Sequence, residues 1–267
     1  MRIFYVICMF LTLSDVKGWN DWAEVEVLYP IWPVAWIDAV GVQRGIEIVL
    51  GFSLISAILG ALLPESRLVR IAVVVGLVLQ SALTNSLSVD IISHGRHAFI
   101  WIALWFVLLP NGSTERIEAN RARRLRFTQV FWYAQATIML FYTLGGLFKI
   151  AGGVLQFSQG LSHSFSIDAL SRHAAGRILE GGQLPAYYSL GEIVVDYPWF
   201  GFMIFPPPIV LDALAFLVVF RPAIHRIWAV GLVGMHLGIF FSLSLLFSGQ
   251  AMILGVLFLC SPFAPDK

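Results

Sequence analysis

The stretch Thr128–Gly152 contains a single charged side chain, Lys149. Runs of this kind restrict the fold more than any other feature of the chain. A helix needs about 20 predominantly apolar residues to cross roughly 30 Å of hydrocarbon. Inside hydrocarbon each backbone N–H and C=O must be satisfied within the protein, so only helices and closed barrels survive there. Composition points the same way: of 267 residues, 58% are hydrophobic and 12% charged. Soluble domains average about 45–50% apolar and about 25% charged residues. The charges here are too few to cover a water-facing surface. The expected fold class is all-α, a polytopic transmembrane helical bundle in an integral, multi-pass cell-membrane protein.

The remaining apolar runs are Ile3–Leu13, Ile46–Leu63, Leu68–Thr84, Ile92–Leu109, Trp199–Phe220, Trp228–Phe247 and Gln250–Phe263, which brings the expected count to about eight spans. Ile3–Leu13 is short, but no small-x-small cleavage site follows it, so it reads as a first span rather than a signal peptide. The Trp19-Asn20-Asp21-Trp22 stretch after it resembles an interfacial belt. Pro206-Pro207-Pro208 is expected to interrupt the sixth span, because consecutive prolines remove donors and clash with the preceding turn. If the spans alternate, eleven Lys and Arg residues fall on one side, among them Arg70 and the Arg116–Arg126 cluster, against five on the other. The richer side is cytoplasmic, which places both termini inside. No internal repeat stands out, and residues 1–267 are expected to form one domain without a separate soluble one.

The net charge of +1 excludes a global pull on nucleic acid. Cys8 and Cys260 sit in apolar runs without metal-ligand spacing, so neither a disulfide framework nor thiol chemistry is indicated. Function must then rest on polar residues that a bilayer excludes. Most fall on the outward side, including Asn85, His94, His97, Arg172 and His173.

Lys149 lies near the outer end of the fifth span. Two readings stand side by side: a lysine that snorkels to the interface, or a dehydrated amine that acts as a base. Gly145-Gly146 would let another helix approach closely at that depth. His94 and His97 have i, i+3 spacing, but no third ligand follows at a metal-motif spacing, so no metal is expected. His236 sits mid-span and must find a partner within the bundle. Asp212, after the prolines, is expected to cap the second half-helix. Phe165, Ile167, Leu170 and Ala174 mark a short interfacial helix that would present Arg172 and His173 either to headgroups or to an anionic or quinone-like ligand.

Tyr142–Ile150 followed by Ser166–His173 resembles a pattern of aromatic, glycine and lysine, then a segment ending in Leu-Ser-Arg-His. That pattern belongs to the transmembrane module of the vitamin K-dependent gamma-carboxylase family, the HTTM domain. Asn85, Gly95-Arg96-His97, Gly234-Met235-His236 and Ser261-Pro262-Phe263 resemble it as well, so the likeness runs from about Arg2 to Pro262. It implies that Lys149 is the base acting on a vitamin K-like hydroquinone, a reduced quinone used with oxygen. It also implies that His97 stabilises a carbanion, and that Asn85, His94, Arg172, His173 and His236 bind substrate. The carboxylases carry a further extracytoplasmic domain that the expected single module lacks.

Two functions follow as expectations. The first is a carboxylase-like, lyase-type membrane enzyme with an outward-facing site, in contact with membrane lipid and acting on a secreted peptide or protein. The second is a non-catalytic membrane factor for maturation or binding of a secreted peptide or partner subunit. A transporter would show a second broken helix forming an inverted repeat, and none is apparent.

Overall fold

The computed structural model describes residues 1–17, 29–87, 96–181, 189–243, 245, 247–259 and 261. Among the described residues all regular structure is helical. The α-helices are α1 Arg2–Lys17, α2 Ile37–Val40, α3 Val42–Leu62, α4 Arg67–Leu87, α5 His97–Val107, α6 Thr114–Glu118 and α7 Arg121–Ser158, then α8 Ala169–Gly181, α9 Ser189–Asp196, α10 Pro198–Ile204, α11 Pro206–Ala213, α12 Ala215–Val218, α13 His225–Leu243 and α14 Ser248–Leu254. A π-helical turn, Gly255–Leu259, follows α14. The chain divides into two compact units, Met1–Ala134 and Gln135–Lys267, with the boundary inside α7.

Every expected apolar run contains helix, but not every run is one straight span. Among the described residues, four helices are long and apolar enough to cross a membrane: Val42–Leu62, Arg67–Ser86, Arg121–Ser158 and Pro222–Leu243. A bent pair, Leu190–Asp196 with Pro198–Ala213, makes up to five. The first run forms a 16-residue helix. The fourth and eighth give the shorter apolar helices His97–Val107 and Ser248–Leu259. The Trp19–Trp22 belt, His94 and Cys260 lie outside the described residues.

The break in the sixth run is partly where the prolines predict and partly not. Pro206 opens α11, directly after Phe205 ends α10. Prolines are tolerated in that first turn because its N–H groups have no helical partner anyway. The sharper change of direction, 117°, falls earlier, between Asp196 and Pro198. Pro198 plays the same opening role for α10.

In the first unit, α3 packs against α1 and α4 at positions without side-chain bulk. A Cβ on Gly60 would lie 2.9 Å from the Tyr5 ring, and one on Gly76 would lie 3.1 Å from the Ser53 backbone. Ser53 Oγ donates to the Gly76 carbonyl at 3.0 Å, adding a polar tie where the helices are closest. Asp15 of α1 accepts from Gln80 Nε2 at 2.5 Å and is also paired with Arg96. The charge tally groups Arg70 with solvated loop arginines, yet the structure buries it completely. Its Nη2 donates to Leu109 O at 2.8 Å and to Asn111 Oδ1 at 2.6 Å. Leu109 lies just past the end of α5, where helix carbonyls lack intrahelical partners and a cation is favoured.

In the second unit, Leu170, Ala174 and Val194 form a small core under Phe200, Ile204, Phe205 and Leu243. Ser171 Oγ donates to Val194 O at 2.6 Å and ties α8 to α9. The wider π turn displaces carbonyls from the regular ladder. Gln135 Nε2, fully buried, donates to one of them, Leu257 O, at 2.6 Å, and to Ser261 Oγ at 3.1 Å.

Arg70 and the exposed Arg67 share one face of α4, which makes a controlled comparison. Replacing Arg70 by Met should lower stability in detergent by about 2–4 kcal/mol, because the buried Leu109 carbonyl loses its donor and the tie to Asn111 is lost. Arg67→Met should change it by no more than about 0.5 kcal/mol. Thermal unfolding of the two variants beside the parent checks this; equal shifts would contradict it.

Candidate functional site

The site grows from one face of α7. Tyr142 and Thr143 lie four and three residues before Gly146, and Lys149 three after it, so all flank Gly146 on one side of the helix. Gly146 sets the distance to the next element. A Cβ there would lie 2.3 Å from Ala213 N and 2.7 Å from Ala213 Cα, so the α11 backbone rests directly on this glycine. Gly145 faces open space. Of the glycine pair singled out in the sequence, only the second makes the helix contact.

This close approach brings Asp212 to Lys149. Lys149 Nζ donates to Asp212 Oδ2 at 2.8 Å, with the aspartate side chain 4% exposed and the lysine side chain 46% exposed. The expectation that Asp212 caps a half-helix is corrected here. The prolines form the first turn of α11, so residue 212 falls at its C-terminal end. A carboxylate is disfavoured there by the negative end of the helix dipole, and the lysine supplies the compensating charge. Beyond Ala213 the helix restarts as α12, and the freed Phe216 N–H donates to Thr143 Oγ1 at 2.8 Å.

His236 of α13 finds the partner its position demands. Its Nε2 shares a 2.6 Å hydrogen bond with Tyr142 OH, and its ring lies 5.3 Å from that of Phe247. All three bonds, from Tyr142, Thr143 and Lys149, connect α7 to the elements packed on it.

A cavity of about 360 Å³ opens beside the ion pair. Leu170, Phe205, Pro207 and Pro208 line it on one side, and the glycine edge of α13 (Gly231, Gly234, Gly238) lines it on the other. A Cβ at Gly234 or Gly238 would meet nothing within 4 Å, so these glycines leave room that larger residues would fill. Among the described residues, Lys149 is the only charged one in the lining.

The other residues expected at a site are placed elsewhere. Arg172 is exposed, paired with Asp168 and donating to Ser166 Oγ at 2.9 Å, so it is tied to its own segment. Hydrogen bonds from Arg172 and then Ser166 hold the exposed Asp168 carboxyl below the usual carboxylate range. His173 is exposed, its ring 6.2 Å from that of Phe205, one of the cavity residues. Asn85 and His97 belong to the first unit. Asn85 Nδ2 donates to Ser81 O at 3.0 Å within α4, and His97 opens α5. Among the described residues, no group of three or more His, Cys, Asp and Glu side chains is placed to hold a metal ion.

Sequence reasoning underweighted the Lys149–Asp212 pair, although a signal was present. Two opposite charges in separate apolar runs each need a countercharge. It missed the roles of Tyr142 and Thr143, and of Asp15, whose partner Arg96 stands in the first unit. Comparison of the chain with protein-family models, curated proteins and solved structures finds no match.

Substitutions at the two glycines separate the contact from mere helix propensity. Gly146→Val should push α11 off α7, lower stability by about 1–3 kcal/mol as overpacking does, and release Lys149 from Asp212. Gly145→Ala should be neutral or stabilising by up to about 1 kcal/mol. Thermal unfolding together with the amine-labelling rate of Lys149 tests both; a Gly146→Val protein as stable and as slowly labelled as the parent would contradict the packing assignment.

Proposed function

We propose that the chain is a multi-pass integral membrane protein of about eight spans, with both termini cytoplasmic, built like the HTTM module of the vitamin K-dependent gamma-carboxylases. In this reading the helices too short to cross alone complete their spans with their neighbours. The excess of arginine on one set of loops supports the orientation. Large apolar side chains that point outward, such as Phe148 at 76% and Ile227 at 72% exposure, support a lipid surround.

The proposed activity is a carboxylase-like reaction that uses a reduced quinone and oxygen to generate a strong base at an outward-facing site. One observation carries it: an apolar cavity whose single charged lining residue, among the described residues, is Lys149, the residue that the resemblance marks as reactive. The dimensions fit the group. An engineered cavity of about 150 Å³ admits benzene, so the 360 Å³ here leaves room for two fused rings. A vitamin K-like hydroquinone, when bound, would supply the reducing equivalents and the strong base needed to ionise a carbon acid. The chain's own residues would hold it: Lys149 would donate to one of its hydroxyl oxygens, the Tyr142–His236 bond steadies α7 against α13, and the apolar walls would limit water around it. The resemblance also implies a carbanion-stabilising role for His97 and substrate-binding roles for Asn85, His94, Arg172 and His173. The carbon acid would be a residue of a secreted peptide or protein.

The test is oxygen-dependent consumption of a reduced naphthoquinone by the purified protein. The parent should turn over, and Lys149→Ala should lose about 100-fold or more, the usual scale of proton-transfer catalysis. Gly234→Leu, which fills the cavity, should raise KM. A folded parent that consumes no hydroquinone at saturating concentration would end this reading and favour the non-catalytic peptide-maturation role.

A further inference from the structure

The pairing of Lys149 with Asp212 raises a question about proton flow. In the ion pair, Nζ is an ammonium and has no lone pair with which to take a proton. A proton arriving from a bound hydroxyl therefore requires one to leave. Oδ2 of Asp212, 2.8 Å from Nζ and already accepting its hydrogen bond, is the acceptor in place. We propose that Asp212, acting through Lys149, is the final acceptor of the proton released by a hydroxyl bound in the cavity.

The step balances. The ligand O–H bond breaks and an N–H bond forms on Lys149, while a second N–H bond of Lys149 breaks and an O–H bond forms on Asp212 Oδ2. Lys149 ends as it began, an ammonium, now beside the ligand oxyanion. No electron changes hands, and net charge is zero before and after. The negative charge moves from the carboxylate to the ligand, so no new charge has to be created in apolar surroundings, where charge separation costs most. Three features of Asp212 favour its receiving a proton. Its side chain is 4% exposed. Its Oδ1 has no hydrogen-bond partner among the described residues, so few bonds hold the charged form. It also sits at the C-terminal end of α11, where the helix opposes negative charge. Of the other titratable groups on the facing elements, Tyr142 and His236 bond to each other through His236 Nε2, while His236 Nδ1 is buried without a hydrogen-bond partner among the described residues. Asp212 is thus a positioning residue and proton store behind Lys149, which is the group that meets the ligand.

The inference rests on the reading of the cavity as a hydroquinone site, and the experiment separates the two. The probe is 2-naphthol, which has two fused rings and a single hydroxyl, bound to the full-length protein in lipid nanodiscs at neutral pH. Absorbance distinguishes naphthol from naphtholate, and infrared difference spectra report a protonated carboxyl. The parent should show bound naphtholate together with a new carboxylic-acid band. Asp212→Asn should bind naphthol but reduce the naphtholate fraction about tenfold or more and lack the band, while Asp212→Glu should restore both. The parent's own carboxyl band needs no variant, so a misfolded Asn protein does not block the test. Naphtholate that persists in Asp212→Asn, naphtholate without a carboxyl band, or failure of naphthol to bind would each overturn the proposal. Naphtholate with its carboxyl band, but no hydroquinone consumption in the oxygen assay, would support the proton path and overturn only the redox reading.

Discussion

Each break in a helix releases backbone groups, and in a chain this apolar little water is at hand to take them. The structure answers three of these breaks with a side chain. Where α11 gives way to α12, Thr143 Oγ1 accepts the Phe216 N–H. Where the π turn Gly255–Leu259 interrupts the last helix, the Gln135 amide donates to Leu257 O. Past the end of α5, Arg70 reaches Leu109 O. An unsatisfied backbone group in such surroundings would cost several kcal/mol, so these polar side chains are what make irregular backbone tolerable there. The break between α10 and α11 also contributes directly to the cavity beside Lys149, which Ile204, Phe205, Pro207 and Pro208 line.

Within that unit the order of causes runs from a glycine outward. Gly146 lets the α11 backbone close onto α7. That closeness carries Asp212 to within hydrogen-bond reach of Lys149, one turn further along the same face. The pair then fixes the lysine head at the edge of a cavity that Gly231, Gly234 and Gly238 keep open on the α13 side. Any side chain at position 146 would hold the helices apart and remove the partner that compensates a half-exposed ammonium and a buried carboxylate. The small residues thus shape both the contact and the cavity.

Much of this was legible in the sequence, because apolar runs declare helices almost regardless of tertiary context. The need of His236 for a partner was also legible, since an imidazole in mid-run has nowhere else to go. The phase of the sixth run was not. Pro206–Pro208 read naturally as a break, but whether prolines end one helix or begin the next depends on packing. Because they begin α11, Asp212 moves from its start to its end and changes from a cap to a charge in need of a countercharge. The burial of Arg70 was hidden for a similar reason. A loop-adjacent arginine looks solvated until the carbonyl of Leu109, far along the chain, is brought to it. The pairing of Asp15 with Arg96 likewise depends on tertiary proximity that spacing does not encode.

The electrostatics of the pair narrow what the cavity would hold. An isolated lysine at an apolar pocket would attract any anion, including the phosphates of lipid headgroups. Asp212 cancels that charge at 2.8 Å, so the site offers hydrogen-bond donors without net positive charge. A permanently anionic head would meet the carboxylate as well as the ammonium and gain little. A neutral ring with an ionisable hydroxyl meets no such opposition, and its negative charge appears only as that of Asp212 is neutralised. On the proposed proton path, the same arrangement that makes the lysine a poor solitary base would make the pair selective for a ligand that brings its own proton.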